Sequence, residues 1–269
     1  MIPQLRGANA ILTGGSQGLG PLIARELALA GVNLALAARS ADRLKAVADE
    51  VAQLGVAVVA IPADLTREAD RLQLIRRAED ALGPVDLLIN NAAIEPIGGF
   101  IRKTPAEIEQ TVTTNVTAPA VLARAVLPGM IERRRGHIVN MASLAGKLGV
   151  PYNAIYGGTK AALFAWSDAL RIELEGSGVS VTVIAPGFVT DTGMYSRHYA
   201  KPPALLGESR PADVVAGVMR ALQHGDHEVV VNPRPFAPMH ALYALAPGFL
   251  VGAMKRLGIM DFLKKTYDV

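Results

Sequence analysis

The chain has 269 residues, of which 51% are hydrophobic and 19% are charged, and its net charge is +3. This composition fits one α/β domain with a large core or two small domains, and the absence of cysteine excludes disulfides and cysteine-based metal sites or nucleophiles. Five Lys/Arg and two Asp in residues 232–269 account for the whole net charge, so residues 1–231 are neutral and a general nucleic-acid binder is disfavoured.

The segment before the first predicted strand is too short for a secretory signal, so we expect a cytoplasmic protein. No Ser/Gly/Pro-rich tract, block of charge or internal repeat marks a linker between domains. We therefore take the predicted elements as parts of one continuous domain.

The first predicted strand leads into a glycine-rich turn. Residues 8–13 are an apolar run typical of a buried parallel strand, and the turn TGGSQGLG follows with Gly14, Gly18 and Gly20. A segment with helical periodicity comes next. A strand, a glycine turn and a helix N-terminus together can bind a pyrophosphate, because glycine lets the backbone approach phosphate oxygens closely.

The second strand, predicted at residues 32–38, ends at Arg39. An acidic residue near this position would bind the ribose hydroxyls of the adenosine. A guanidinium instead suits a 2′-phosphate and can stack on adenine, which favours NADP over NAD. The alternative is an arginine that only contacts solvent in a loop.

Two further strands end in polar residues. Strand 56–61 precedes Asp64, which could accept a hydrogen bond from the adenine amino group, cap a helix that begins near Thr66, or do both. Strand 86–89 precedes Asn-Asn-Ala-Ala at residues 90–93. The small residues leave room for a flat ligand, and the asparagine amides can join neighbouring strands; a plain loop would tolerate bulk.

A helix is predicted at residues 105–131 with Asn115 in its middle. Asparagine is unfavourable in a helix interior because its side chain competes for backbone hydrogen bonds. Asn115 is therefore either a buried residue that bends the helix and frees a carbonyl for a water, or a surface residue without a role.

The fifth strand, residues 137–141, brings Ser143 to the carboxyl edge of the sheet, where ligands bind in open α/β folds. Tyr156 and Lys160 stand four residues apart in a helix predicted at 153–175, so they share one face. A cation beside a phenol lowers a pKa that is normally ~10 and suits the phenol to proton transfer. Ser143 could hold a substrate oxygen; an amphipathic helix with an exposed lysine is the alternative.

The remaining segments complete the sheet. A sixth strand is predicted at 179–185, a helix at 211–223 and a last strand at 228–231. Residues 191–210 lack a clean period and contain turn signals, which fits a lid over a pocket.

These segments resemble the short-chain dehydrogenase/reductase family in order and spacing, from about residue 5 to about residue 231. The matching pieces are residues 13–20, Asp64, residues 90–93, Asn115, Ser143, Tyr156 with Lys160, and Pro186-Gly187. The resemblance implies a single α/β domain with a Rossmann-like, doubly wound, seven-stranded parallel sheet. It also implies hydride transfer between nicotinamide C4 and a carbonyl or alcohol carbon.

The resemblance further implies a catalytic tetrad. Tyr156 would give its proton to the nascent alkoxide, and Lys160 would bind the nicotinamide ribose and lower the pKa of the tyrosine. Ser143 would hold the carbonyl oxygen, and Asn115 would support a proton-relay water. No metal site is expected.

The same resemblance implies a set of residues that bind the dinucleotide, and Arg39 favours NADP(H) over NAD(H). Residues 184–190 would line the nicotinamide pocket, where Val189 offers backbone to the carboxamide and Thr190 offers a hydroxyl to the pyrophosphate. The whole set is Gly14, Ser16, Gln17, Gly18, Leu19, Gly20, Arg39, Asp64, Leu65, Asn91, Ala92, Tyr156, Lys160, Pro186, Gly187, Val189 and Thr190.

Three features depart from the family pattern. Gly157 and Gly158 lie between the tyrosine and the lysine. Each costs a helix about 1 kcal/mol relative to alanine unless it lies in the first turn. The pair could indicate close helix packing, including against a second subunit. Pro21 stands where a longer side chain is usual and fits only because it falls in the first turn of a helix. Residues 232–269 extend beyond the dinucleotide-binding domain expected at 1–231.

The extension contains nineteen residues without formal charge, 236–254, followed by Lys255 and Arg256. Because prolines and glycines interrupt the run, we do not expect it to span a membrane. It could cover the substrate pocket, pack against a partner subunit, or enter one leaflet with its cations at the headgroups. We favour burial within the protein or a dimer.

The sequence thus predicts an NADP(H)-dependent carbonyl reductase or alcohol dehydrogenase for a small apolar substrate. By resemblance, a homodimer or homotetramer would form through helices 105–131 and 153–175. One alternative is a dinucleotide-binding sensor or scaffold without turnover. Another is a lipid or sterol reductase that contacts a membrane peripherally through residues 236–256.

Overall fold

The computed structural model describes residues 5–192 and 206–267, with side chains up to Lys265. Most of the lid predicted at 191–210 therefore lies outside the described residues. The strands are β1 (Asn9–Thr13), β2 (Asn33–Ala38), β3 (Val58–Pro62), β4 (Leu87–Asn90), β5 (Gly136–Met141), β6 (Val179–Pro186) and β7 (Glu228–Val231). They form one parallel sheet in the order β3-β2-β1-β4-β5-β6-β7, which confirms the predicted doubly wound fold.

Helices cover both faces of the sheet and extend past its last strand. Those of the described residues are α1 (Leu19–Leu29), α2 (Ala41–Ala52), α3 (Glu68–Leu82), α4 (Pro105–Val112), α5 (Ala118–Glu132), α6 (Ala154–Glu173), α7 (Pro211–His224), α8 (Ala237–Leu245), α9 (Pro247–Arg256) and α10 (Ile259–Tyr267).

The core is divided by the sheet into two apolar layers. Successive residues of a strand point to opposite faces, so Ile11 packs in one layer with Leu88 and Leu122, whereas Leu12 packs in the other with Ile23. All of these side chains are inaccessible to solvent or nearly so. The strands read as continuous apolar runs because helices cover them on both sides.

The single helix predicted at residues 105–131 is wrong in its middle. A π-helical turn at Thr113–Thr117 separates α4 from α5. Asn115 lies within this turn and is 1% exposed, which excludes the surface alternative. Its side chain bonds outside the helix, and a wide turn lets the chain continue past such a residue.

Residues 237–267 form the three helices α8, α9 and α10, which pack mainly on one another. Ile259 and Leu263 of α10 are buried, and Val150 of the loop before α6 packs against them. The extension therefore lies at the carboxyl edge of the sheet. No single helix in the described ranges is long and apolar enough to cross a membrane; only the pair α8 and α9 passes that test together, and it is bent by 119°.

Candidate active site

A cleft of about 1110 Å³ opens along the carboxyl edge of the sheet. The turns after β1, β2, β4, β5 and β6 contribute to its lining. Its volume exceeds that of most pockets for one small ligand, so it has room for a dinucleotide and a second molecule. Most of the predicted site residues can be placed along it from one end to the other.

The glycine turn after β1 is tightly packed where a dinucleotide is expected. Gly14 has a φ of +71°, and a β-carbon there would lie 2.9 Å from the Asn91 amide nitrogen. A β-carbon on Gly20 would lie 2.1 Å from the Gly14 carbonyl oxygen. Gly20 therefore serves helix packing and does not line the cleft, whereas Gly14 and Gly18 do. No side chain of the described residues caps the N-terminus of α1, where the Gly20 amide donates to the Gln17 carbonyl at 3.2 Å. A helix N-terminus without a side-chain cap can bind phosphate oxygens.

Thr13 holds the loop after β4 against this turn. Its hydroxyl accepts hydrogen bonds from the backbone amides of Asn91 and Ala92, both at 3.0 Å. The Asn91 side chain donates to the Thr13 carbonyl at 3.0 Å. The residues Ser16, Gln17, Leu19, Asn91 and Ala92, all predicted to bind the cofactor, line the cleft here. The glycine turn and the loop after β4 therefore line the same part of the cleft.

A buried amide chain joins β4, β5 and α6. The Asn90 side chain donates to Asn140 at 2.9 Å, and Asn140 donates to the Ser167 hydroxyl at 2.8 Å. The predicted joining of neighbouring strands by asparagine amides is confirmed. These bonds fix the strand ends that carry the site.

Tyr156 and Lys160 lie on the buried side of α6, 8% and 3% exposed, and both line the cleft. The lysine ammonium is 5.5 Å from the centre of the tyrosine ring and donates to the Met141 carbonyl at 2.6 Å. Burial lowers the pKa of Lys160 to about 8, and the carboxylate of Glu95 opposes this shift. The alternative of an exposed lysine on an amphipathic helix is excluded.

Ser143 follows β5 and faces the same cleft. Its hydroxyl accepts from the Ala145 amide at 3.1 Å and caps a short 3₁₀ turn, Leu144–Gly146. This turn packs directly on α6, since a β-carbon on Gly146 would lie 2.6 Å from the Lys160 carbonyl carbon. Ser143, Tyr156 and Lys160 are thus brought together.

Asn115 is not among the residues that line the cleft. Its side chain accepts from the Ile94 amide and donates to the Ile94 carbonyl, both at 2.9 Å, and donates to the Thr159 hydroxyl at 3.0 Å. Thr159 in turn donates to the Tyr156 carbonyl at 2.7 Å. Asn115 therefore connects the loop after β4 to the helix that carries the tyrosine, and its part in a proton relay stays a prediction.

At the other end, Arg39, Asp64 and Leu65 line the cleft. Burial raises the pKa of Asp64, but hydrogen bonds from the backbone and side chain of Thr66 outweigh it, helped by the charges of Arg39 and Arg67, so the net pKa is lowered. Asp64 does not cap α3, so this alternative is excluded, whereas its contact with an adenine amino group stays a prediction. Asp64 caps a turn at Thr66, because α3 begins two residues later at Glu68.

Arg43, which no sequence motif singled out, lies in the first turn of α2 and lines the cleft. Its guanidinium donates to the Ser40 hydroxyl at 3.1 Å and to the Gln17 side chain at 3.4 Å. Arg39 and Arg43 therefore place two cations at this end. The four-residue spacing of two arginines across a strand–helix turn was the available signal.

No sequence motif singled out Glu95 either. It lines the cleft, accepts a hydrogen bond from Asn153 at the start of α6, and acts electrostatically on Lys160. A lone carboxylate among the small and apolar residues after β4 was the signal for it.

The end of β6 and the loop after it contribute Pro186, Gly187 and Val189 to the cleft. Thr190 is not among the lining residues; its hydroxyl donates to the Asp191 carboxylate at 2.9 Å, and Thr192 lines the cleft instead. The predicted contact of Thr190 with a pyrophosphate stays a prediction.

The extension covers the remaining side of the cleft with apolar side chains. Phe262 of α10 contacts Phe188 of the loop after β6 edge to face, with ring centres 6.2 Å apart. The lining residues of the extension include Phe236, Met239, Leu242, Leu250, Met254, Ile259 and Leu263. The inner side of the extension therefore covers the pocket, which is one of the three arrangements predicted for it.

Comparisons with known proteins identify similar chains. The family model for short chain dehydrogenases matches residues 8–202. Ketoacyl reductase HetN of Nostoc sp. is 39% identical over 98% of this chain and 94% of its own length. A short-chain dehydrogenase of Sphingobium yanoikuyae, solved in complex with NADPH, has a TM-score of 0.78 at 32% identity and covers 91% of this chain and 95% of that one.

A short-chain dehydrogenase/reductase of Burkholderia phymatum, solved in complex with NAD, has a TM-score of 0.81 at 24% identity, over 93% of this chain and 96% of that one, and shows the fold. The family match covers well over half of the residues and includes the glycine turn, Ser143 and the Tyr156–Lys160 pair. The chain therefore belongs to the short-chain dehydrogenase family and is an oxidoreductase that uses a nicotinamide cofactor.

Proposed function

We propose that the protein is an NADP(H)-dependent reductase of apolar ketones, or the corresponding alcohol dehydrogenase. The observation that carries the proposal is the meeting of Ser143, Tyr156 and Lys160 on one cleft that begins at the glycine turn. The apolar lining contributed by the extension supports an apolar substrate. The name of the Nostoc relative makes a ketoacyl thioester a substrate worth testing.

The preference for NADP(H) is supported by the charge at one end of the cleft. Arg39 and Arg43 provide two guanidinium groups beside Ser40, where strand β2 ends. Guanidinium groups bind phosphate through charge-assisted hydrogen bonds, so these residues would hold a 2′-phosphate. Gly14 and Gly18 line the cleft beside the N-terminus of α1, where the pyrophosphate would bind.

The chemistry follows from the residues at the other end. Bound NADPH supplies the hydride that reduces the carbonyl carbon. The Tyr156 hydroxyl donates the proton to the carbonyl oxygen, and Ser143 donates a hydrogen bond that holds this oxygen. The buried cation of Lys160 stabilises the phenolate that Tyr156 becomes once its proton has left. Asn115 acts as a positioning residue through Ile94 and Thr159.

The test is NADPH oxidation by the full chain over a panel of apolar ketones and a ketoacyl thioester. Tyr156→Phe should lower kcat by about 10²–10⁴-fold, the typical contribution of a general acid, with NADPH affinity retained. Tyr243→Phe, outside the cleft lining, is the matched control and should keep full activity. Equal turnover by wild type and Tyr156→Phe would refute the role of Tyr156. Tight NADPH binding without turnover on any carbonyl would favour a sensor.

A further inference from the structure

The bend between α8 and α9 exposes apolar side chains. The two helices meet at Ala246 with an angle of 119°. Leu245 on one side of the bend is 87% exposed, and Phe249 on the other side is 68% exposed. We call these two side chains the apex. Large apolar residues this accessible, placed together at the turn of a helical hairpin, point to a partner surface.

The charges at the end of α9 away from the bend indicate which kind of partner binds the apex. Residues 236–254 carry no formal charge, and Lys255 and Arg256 follow at the end of α9, both exposed. Leu257, next in the chain, is 63% exposed. Residues 232–269 carry the whole net charge of the protein. An uncharged apex followed by exposed cations matches the hydrocarbon boundary and the anionic headgroups of a lipid surface.

The opposite side of the same hairpin belongs to the cleft. Met239 and Leu242 of α8 and Leu250 and Met254 of α9 line the apolar end of the site. The two helices thus present apolar side chains outward at the bend and inward to the substrate space. A molecule dissolved in lipid would reach the cleft by moving past the hairpin.

We propose that the apex inserts into the interface of an anionic bilayer, with Lys255 and Arg256 at the headgroups, and that the enzyme takes its apolar substrate from that bilayer. The second part rests on the proposed function; the first does not. A short bent hairpin suits the interface plane better than a span across the bilayer, because each of its helices is only nine or ten residues long.

The experiment is flotation of the full chain, saturated with NADPH, with vesicles of phosphatidylcholine containing phosphatidylglycerol and with vesicles of phosphatidylcholine alone. Wild type should float with the anionic vesicles. The double variant Leu245→Ser/Phe249→Ser should lose at least about tenfold in affinity, because two large apolar side chains no longer leave water. Lys255→Gln/Arg256→Gln should lose about tenfold and show a weaker dependence on salt.

Leu29→Ser is the matched control, since Leu29 is 51% exposed on α1, away from the extension, and should float like wild type. Oxidation of NADPH with a water-soluble ketone should be unchanged in the apex variant. This measurement therefore tests the proposed function independently of membrane binding. Flotation of the apex variant equal to wild type would overturn the proposal. The proposal would also be overturned if the wild type does not float and sedimentation shows an oligomer that is lost in the apex variant. That result would assign the apex to a subunit contact.

Discussion

The ammonium group of Lys160 donates a 2.6 Å hydrogen bond to the carbonyl oxygen of Met141, the last residue of β5. This bond ties the lysine of α6 to the strand that also leads to Ser143. Both partners are buried, so the ammonium group is shielded from water and is stabilised by the Met141 carbonyl and the nearby charge of Glu95. The loss of water around the ammonium group lowers the pKa of Lys160.

The rate of ketone reduction should therefore fall at alkaline pH. Below its pKa of about 8 in the free enzyme Lys160 is charged, and kcat/KM for ketone reduction should fall as pH rises through that value. Because Glu95 raises the pKa of Lys160, Glu95→Gln should move this limb to lower pH. Glu109→Gln, on the exposed side of α4, should leave the profile unchanged. A limb that stays in place or moves upward in Glu95→Gln would contradict the electrostatic link.

The cofactor preference should reside in the two arginines. Arg39→Ala and Arg43→Ala should each raise KM for NADPH by roughly tenfold or more, the loss expected for charge-assisted hydrogen bonds, and leave KM for NADH nearly unchanged. Arg76→Ala, an exposed arginine of α3, is the control. Steady-state kinetics with both cofactors measures these KM values. Equal increases in KM for NADPH and NADH would show that the arginines do not select between the two cofactors.

His137 should make the fold sensitive to acid. Burial in β5 lowers its pKa to about 3, and its Nε2–H donates to the Thr182 hydroxyl at 2.9 Å, since that hydroxyl itself donates to the Asp226 carbonyl. The unfolded chain binds a proton near pH 6.5, so the stability from this group is complete above 6.5 and falls with pH below it. At about pH 5 the loss should be about 2 kcal/mol.

Urea unfolding of wild type and His137→Val at several pH values measures this effect. The free energy of unfolding of the variant should fall less between neutral pH and about pH 5. Parallel curves for the two proteins would show that His137 does not titrate differently in the folded and unfolded states.

Gly157 and Gly158 should respond differently to alanine. A β-carbon at Gly157 would lie 3.0 Å from the Ala145 carbonyl oxygen, whereas one at Gly158 meets no atom within 4 Å in the described chain. Gly158→Ala should raise the free energy of unfolding by about 0.5–1 kcal/mol, and Gly157→Ala should not raise it. Denaturant unfolding compares the two. If Gly158→Ala instead destabilises the protein or changes its sedimentation, a second subunit covers this face.

Segments whose pattern is local were predictable. The strand run that ends at Thr13 and the Tyr156–Lys160 spacing each contain their own signal, and both were placed correctly. The local pattern around Asn115 predicts a continuous helix, because the π-helical turn depends on a hydrogen bond to Ile94, twenty-one residues away in the chain. Arg43 was overlooked because its position beside Gln17 arises only when α2 packs next to the glycine turn.

The extension was the least predictable segment. Its apolar composition was plain, but three helices and the division into an inner and an outer side follow from packing against loops such as that of Val150. Asp64 shows the same limit on a smaller scale: composition alone could not tell a turn at Thr66 from a helix cap at the same residues.

The extension reaches the cleft as one uninterrupted stretch that follows β7, while the glycine turn and the Tyr156–Lys160 pair precede it. Substitutions in residues 236–263 can therefore remodel one end of the cleft without touching the dinucleotide end. Selection can act on this segment as a module, and a chimera that exchanges it with a relative's segment should inherit the donor's substrate range on an unchanged catalytic body.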